Sequence, residues 1–158
     1  MGEALEKARR LKSALNDMLA ELLAAVDASR TTLRIDLPEL GLRVDDPAGE
    51  ARASDVPSLL GQTALDQRSL ETVRWMDAHH DYLIQERCEG AHPAPPEALI
   101  RIYGVQAQML GPIVRDGRLA GWISVHENRS ARQWTESEVE RLKGAVAKMH
   151  EILDEAGV

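Results

Sequence analysis

The sequence contains no phenylalanine and only one cysteine among its 158 residues. A single cysteine excludes an intrachain disulfide framework and a zinc site built from several thiolates. Large aromatic side chains are limited to Trp75, Trp122, Trp134, Tyr82 and Tyr103, so aromatic contacts in a core or a pocket depend on these five. The chain also has no apolar run long enough to cross a membrane.

Basic side chains are outnumbered, with 19 Lys and Arg against 26 Asp and Glu and a formal net charge of -7. Because no basic stripe is present to neutralise phosphates, we expect no sequence-independent binding to nucleic acid or to an anionic membrane. The first residues are charged and lack the apolar segment of a secretory signal. Together with the single cysteine, these features predict a protein of the reducing cytoplasm.

Both ends of the chain show helical periodicity. A helix of about 25 residues over 3–28 would be roughly 37 Å long, so we expect its first half to overhang the domain and to meet a partner. Thr135 is expected to cap a second helix, with Glu138 completing a capping box and Trp134 packing on Val139. The first helix carries a seam with coiled-coil spacing, formed by Ala4, Ala8, Leu11, Leu15, Met18, Leu22 and Ala25.

Between these helices, alternation of apolar and polar residues predicts strands at 30–37, 42–45 and 82–87. Residues 46–64 are rich in Pro, Gly, Ala and Ser, and we expect an irregular loop there. A helix from Ser69 to about Ala78 and a short helix over 97–103 complete the middle of the chain.

Asp116-Gly117 predicts a two-residue hairpin turn between strands at 106–114 and 119–126. Simple continuation of this register pairs Leu110 with Ile123 on one face and Gly111 with Trp122 on the other. The aliphatic face is expected under the terminal helices; it carries Leu110, Val114, Leu119, Ile123 and Val125. The mixed face is expected to form a pocket and carries Met109, Trp122, Ser124 and His126.

The segments Met109–Val114, Asp116–Val125 and Trp134–Glu138 resemble the closing pattern of a GAF domain, the small-molecule-sensing relative of the PAS fold. The resemblance implies an α+β fold, an α/β sandwich. Its antiparallel sheet would have five or six strands, with long terminal helices on one face and helices and loops over the ligand face. Residues 1–158 would then form one domain, with an N-terminal helix at 1–28, sheet and pocket segments at 30–134 and a C-terminal helix at 135–155.

Three specialised branches of that family do not match this sequence. Bilin-binding members attach their chromophore through Cys followed by His, whereas Cys88 is followed by Glu89. Free methionine sulfoxide reductases of this fold need more than one cysteine, and the cyclic-nucleotide phosphodiesterase motif contains a phenylalanine. The resemblance therefore identifies no cofactor and no particular ligand, and it transfers no catalytic motif.

The leading hypothesis is a non-catalytic sensor that binds a small organic ligand and signals through a homodimer of its terminal helices, with output by a separate protein. An alternative is a small enzyme that uses His126, His79 or Cys88 as acid, base or nucleophile. A third is a dimerisation scaffold with a filled pocket. The expected ligand-binding side chains are Trp75, His79, Tyr82, Tyr103, Met109, Trp122, Ser124 and His126.

Other chemistry has simpler interpretations. Adjacent strand residues point to opposite faces, so His79 and His80 cannot easily share a metal ion, and no metal site is predicted. A haem would need one axial histidine in an apolar cavity, for which His126 or His79 are candidates. Cys88 is more simply a buried, inert thiol. Arg34 could pair with Asp36 or hold a carboxylate ligand.

Overall fold

The computed structural model describes residues 2–158. One antiparallel sheet of five strands lies at its centre, in the order β2-β1-β5-β4-β3. Its strands are β1 (Arg30–Ile35), β2 (Gly49–Arg52), β3 (Leu83–Gln85), β4 (Ala107–Arg115) and β5 (Arg118–Glu127). This arrangement confirms the predicted α+β class.

Helices cover both faces of the sheet. The four α-helices are α1 (Gly2–Val26), α2 (Glu71–His79), α3 (Glu97–Arg101) and α4 (Glu136–Ala156). The terminal helices α1 and α4 pack on one face of the sheet and share a core with it. The helices α2 and α3 lie on the opposite face. Within residues 2–158, no helix combines the length and the apolar character needed to span a membrane.

The apolar seam of α1 is largely buried within this one chain. Leu11, Leu15, Met18 and Leu22 belong to the core beneath the sheet, and Leu11 and Leu15 are only 5% and 1% exposed. A wide apolar sheet face needs two helices to cover it, so most of the seam is not left free for a second chain. Upstream of Leu11 the helix surface is open, and Leu5 is 63% exposed.

The second strand lies later in the chain than predicted. Residues 42–45 form no strand, and Leu42 makes only an isolated bridge to Leu37. The strand β2 falls in the segment expected to be irregular, because its ladder with β1 and the side chain of Asn16 hold it in place. A Cβ added at Gly49 would lie 2.9 Å from Asn16 Oδ1, so this edge strand needs a glycine to approach α1.

The C-terminal helix begins as predicted. The Thr135 hydroxyl accepts a hydrogen bond from the Glu138 amide at 3.1 Å, and the Glu138 carboxylate accepts one from the Thr135 amide at 2.9 Å. This reciprocal pair is the predicted capping box, and it satisfies two amides that a helix start otherwise leaves without partners. Trp134 is buried in the core that the half-buried Val139 packs against.

The hairpin turn is confirmed, but the predicted register is wrong beyond Val114. Asp116 and Gly117 both have positive φ, and Val114 pairs with Leu119. A bulge at Ala120 then shifts the ladder by one residue, so that Pro112, rather than Gly111, faces Trp122. Bulges of this kind bend a strand and increase its twist.

The shifted register moves side chains of β4 between faces. Met109 is fully buried under the terminal helices, and a Cβ added at Gly111 would lie 2.9 Å from Val146 of α4. Gly111 therefore makes room for α4 and not for an indole. Leu110 and Leu119, expected under the helices, instead pack with Trp122 on the opposite face.

Candidate functional site

A cavity of about 240 Å³ lies between the sheet and the middle of the chain, on the face opposite α1 and α4. Its roof comes from residues 59–73 and 96–103. Sites for drug-sized ligands measure about 300 to 1,000 Å³, so this space suits a more compact molecule. The floor comes from alternate residues of three strands, namely Thr32, Arg34, Gln108, Leu110, Trp122, Ser124 and His126.

Four of the eight expected ligand-binding side chains line this cavity: Tyr103, Trp122, Ser124 and His126. Met109 does not, because the bulge turns it toward the terminal helices. Tyr82 also lies on the helix side, with the ammonium nitrogen of Lys143 from α4 5.7 Å from its ring centroid. The register error therefore explains why Met109 was wrongly placed in the cavity. Tyr82 lies just before β3, on the same helix-covered side of the sheet as Met109.

Trp75 and His79 lie outside the cavity on α2. Their rings stack on one another with centroids 4.5 Å apart, and His79 Nδ1 is 2.8 Å from the Trp75 carbonyl oxygen. Residues four apart share one side of a helix, and on α2 the opposite side packs on the sheet through Val73 and Met76. The exposed His79 is thus turned away from the cavity.

The ring of His126 is held as a neutral hydrogen-bond donor. Arg30 Nη1 lies 2.9 Å from His126 Nδ1, and because a guanidinium only donates, Nδ1 must accept. Burial, followed by the charges of Arg30 and Arg34, holds the pKa of His126 well below its ordinary value. The proton of the neutral ring is therefore on Nε2, and His126 offers an N–H group on the cavity side.

Arg30 connects His126 on the floor of the cavity to the segment that leads into its roof. The side chain is fully buried, its Nη2 donates to the Pro57 carbonyl at 2.6 Å, and its Nε is 3.9 Å from the Glu50 carboxylate. Glu50 in turn accepts hydrogen bonds from Ser58 Oγ and the Leu59 amide, each at 2.7 Å. Burial lowers the pKa of Arg30 to about 10, which still leaves it charged at neutral pH.

Arg34 lines the cavity beside Trp122 and is only 7% exposed. Its Nη1 donates to the Val44 carbonyl oxygen at 2.9 Å. The alternative pairing with Asp36 does not form, since that carboxylate binds Arg68 and the Val44 amide instead. Arg34 was foreseen as a possible carboxylate partner, whereas Gln108 and Leu110 were missed because of the register.

The three residues of the enzyme hypothesis are not brought together. Cys88 is 1% exposed and does not line the cavity, and burial raises the pKa of its thiol to about 12. A thiol with that pKa stays protonated at neutral pH and is a poor nucleophile. His79 is exposed on α2, and His126 is fixed by Arg30. Over residues 2–158, no group of three or more His, Cys, Asp or Glu side chains is placed to hold a metal ion.

Comparison with known proteins identifies the class to which this architecture belongs. The GAF domain family model matches residues 10–151, and the chain belongs to that family. No curated protein matches the sequence.

Several solved structures share the fold at low sequence identity. A structure of the cyanobacteriochrome receptor PixJ is 19% identical, with 93% of this chain and 97% of that chain covered and a TM-score of 0.73. The GAF domain of an Acinetobacter phosphoenolpyruvate-protein phosphotransferase is 14% identical, with 98% of this chain and 95% of that chain covered and a TM-score of 0.68. A domain of a Sinorhizobium meliloti 1021 putative two-component sensor histidine kinase is also 14% identical, with 92% of each chain covered and a TM-score of 0.68.

Proposed function

We propose that this chain is a non-catalytic sensor module that binds a small organic molecule in the cavity between the sheet and residues 59–73 and 96–103. The observation that carries the proposal is a cavity with apolar walls and a few polar groups fixed by their neighbours, which is the usual composition of a ligand site. His126 is fixed by Arg30, which also donates to the Pro57 carbonyl just before the first roof segment.

The relatives support ligand binding by this fold without identifying the ligand. One similar structure, at 16% identity and a TM-score of 0.73, is described as holding bound biliverdin IXa. A bilin is not our candidate here, because the cavity is only about 240 Å³ and Cys88 does not line it.

We further propose that occupancy of the cavity reaches a separate output protein through a homodimer of the terminal helices. An ion-pair network around the buried carboxylate of Glu127 supports this route. Glu127 directly follows His126 in β5, and its carboxylate accepts hydrogen bonds from Ser29, Arg129 and Arg132. Arg132 also donates to the Val26 carbonyl at the end of α1 and forms a salt bridge with Glu138 at the start of α4.

A cavity-filling substitution tests the ligand site. Ala98 lies on α3, half-buried in the cavity wall, so Ala98→Trp would fill the space that a ligand needs. Ala78→Trp makes the same chemical change on the exposed side of α2. Small molecules released by denaturing each purified protein are then identified and counted by mass spectrometry. We expect one compound in near-stoichiometric amount from the wild type and from Ala78→Trp, and its loss from Ala98→Trp; equal recovery from all three would contradict the proposal.

A further inference from the structure

The cavity contains a buried cation without a counter-ion. Arg34 is only 7% exposed, and no carboxylate of residues 2–158 lies within 4.0 Å of its guanidinium nitrogens. Buried charges are normally paired because an isolated charge loses its hydration. Burial lowers the pKa of Arg34, and the charges of Asp45 and Asp46 raise it less strongly. Asp45 Oδ1 already accepts a hydrogen bond from the Gln67 amide at 3.0 Å.

The guanidinium also has unused hydrogen-bonding capacity. An arginine carries five N–H donors in a planar fork, and here only Nη1 makes a hydrogen bond, to the Val44 carbonyl oxygen. That fork matches the two oxygens of a carboxylate. His126 adds a second donor at another place on the same floor, and Ser124 adds a hydroxyl between them.

The charge lining the cavity is opposite in sign to the net charge of the protein. The chain has a formal net charge of -7, yet no Asp or Glu lines the cavity. Arg34 contributes a positive charge there, and the neutral His126 contributes a donor. An anionic group is therefore complementary to this site in charge and in hydrogen bonding.

The remaining walls are mainly apolar and restrict the rest of the ligand. The indole of Trp122 and the side chains of Leu70, Val73, Leu99 and Leu110 face the space. A polar dianion such as phosphate would lose more hydration against these walls, and the single charge of Arg34 would balance only part of its charge. We propose that the ligand is a compact apolar molecule with one carboxylate, aromatic or branched, and that Arg34 binds the carboxylate. This inference rests on the proposed ligand-binding function.

Benzoate and benzamide are suitable probes, because they have nearly the same shape and only benzoate is charged. Binding of each to ligand-stripped protein is measured by calorimetry for the wild type, Arg34→Gln and Arg74→Gln. Arg74 is exposed on α2 and away from the cavity, so its variant controls for the change in net charge. We expect the wild type and Arg74→Gln to prefer benzoate by about tenfold or more, and Arg34→Gln to lose that preference.

A benzamide affinity equal to that of benzoate would overturn the inference, and so would a preference for benzoate that survives in Arg34→Gln. Displacement of benzoate by inorganic phosphate at an equal concentration would also overturn the inference, since the site would then bind anions in general. Circular dichroism checks that Arg34→Gln is folded, and Arg34→Lys, which keeps the charge but not the fork, replaces it if it is not. The lysine variant is expected to retain part of the preference; an undiminished preference would overturn the role of the fork.

The compound released from the purified protein separates this inference from the proposed function. A released carboxylic acid that Ala98→Trp fails to hold supports both, even if benzoate itself binds weakly. A neutral compound lost from Ala98→Trp overturns the carboxylate inference and leaves the sensor function standing. If no compound is released and neither probe binds, both are overturned.

Discussion

Among the described glycines, Gly121 lies closest to the backbone of a neighbouring strand. A Cβ at this position would lie 2.2 Å from the carbonyl oxygen of Arg34 and 2.7 Å from the Cα of Ile35, both backbone atoms of β1. Backbone atoms within a sheet cannot move aside as a flexible side chain can. The glycine therefore allows β5 to approach β1 just before Trp122, next to the bulge that sets the cavity floor.

We expect Gly121→Ala to lower the free energy of unfolding by about 3 kcal/mol or more, as overpacking in a filled core does. The matched control is Gly2→Ala at the start of α1, where an added Cβ meets nothing within 4 Å. Alanine is favoured over glycine in a helix, so this control should lose no stability. Urea unfolding measures both; a neutral Gly121→Ala would contradict the bulged register.

The buried neutral ring of His126 predicts a pH-dependent loss of stability. Its pKa is held well below the ordinary 6.5, so below that pH the unfolded chain binds a proton that the folded ring does not. Stability therefore falls as pH drops below about 6.5, and this group contributes a loss of up to about 1.4 kcal/mol between pH 7.5 and 5.5. Urea unfolding at the two pH values should show that His126→Gln lacks this loss, whereas His79→Gln on the exposed side of α2 retains it. Equal losses in all three proteins would contradict a neutral His126.

Elements with local signals were predictable from the sequence, and those that depend on distant contacts were not. The capping box and the Asp116-Gly117 turn each depend on residues within one turn of chain, and both are confirmed. The strand β2 has little strand character of its own and exists because β1 and Asn16 pair with it. The bulge at Ala120 lies next to the contact of Gly121 with β1, a tertiary contact that alternation within the hairpin cannot reveal.

The same distinction explains the candidate site. Trp122, Ser124 and His126 were assigned correctly to the cavity face, because alternation within β5 holds beyond the bulge. Met109 was assigned wrongly because its face was inferred across the hairpin, through the bulge. The unpaired state of Arg34 depends on where Asp36 finds its partners, which is a tertiary property.

The start of α4 can be tested with the capping box. Thr135→Ala should lower the free energy of unfolding by about 1 kcal/mol, the usual loss for an N-cap. Adding Glu138→Ala should give less than the sum of the two single effects, because the residues share the cap. Ser137→Ala, exposed in the first turn of α4, is the control and should be neutral in urea unfolding. A Thr135→Ala protein as stable as wild type, or strictly additive effects, would argue against a shared cap.

At the scale of the whole molecule, the proposed homodimer must use the surface that α1 and α4 leave free. Substituting Leu11 or Leu15 cannot test it, because both side chains belong to the core of a single chain. Ala25 is exposed and lines a groove between the two helices, together with Met18, Leu22, Gly144 and Ala145. An arginine at this position would occupy the groove without entering the core.

We expect the wild type to be a dimer at high micromolar concentration and Ala25→Arg to be a monomer with an unchanged far-ultraviolet circular dichroism spectrum. Ser137→Arg adds the same side chain outside the groove and should remain dimeric. Size-exclusion chromatography with light scattering measures the mass of each. A monomeric wild type would refute the dimer, and a dimeric Ala25→Arg would move the interface elsewhere.

The most direct test of ligand binding in this cavity is whether a ligand changes the environment of Trp122. Trp75→Phe combined with Trp134→Phe leaves Trp122, on the cavity floor, as the only indole. This protein is stripped of small molecules and then mixed with the small-molecule fraction released from unmodified protein, while its fluorescence emission is recorded. Ligand binding in the cavity predicts a saturable change in the emission of Trp122 and none in a Trp122→Phe protein that keeps Trp75 and Trp134. An unchanged Trp122 signal together with a response from the other two indoles would contradict it.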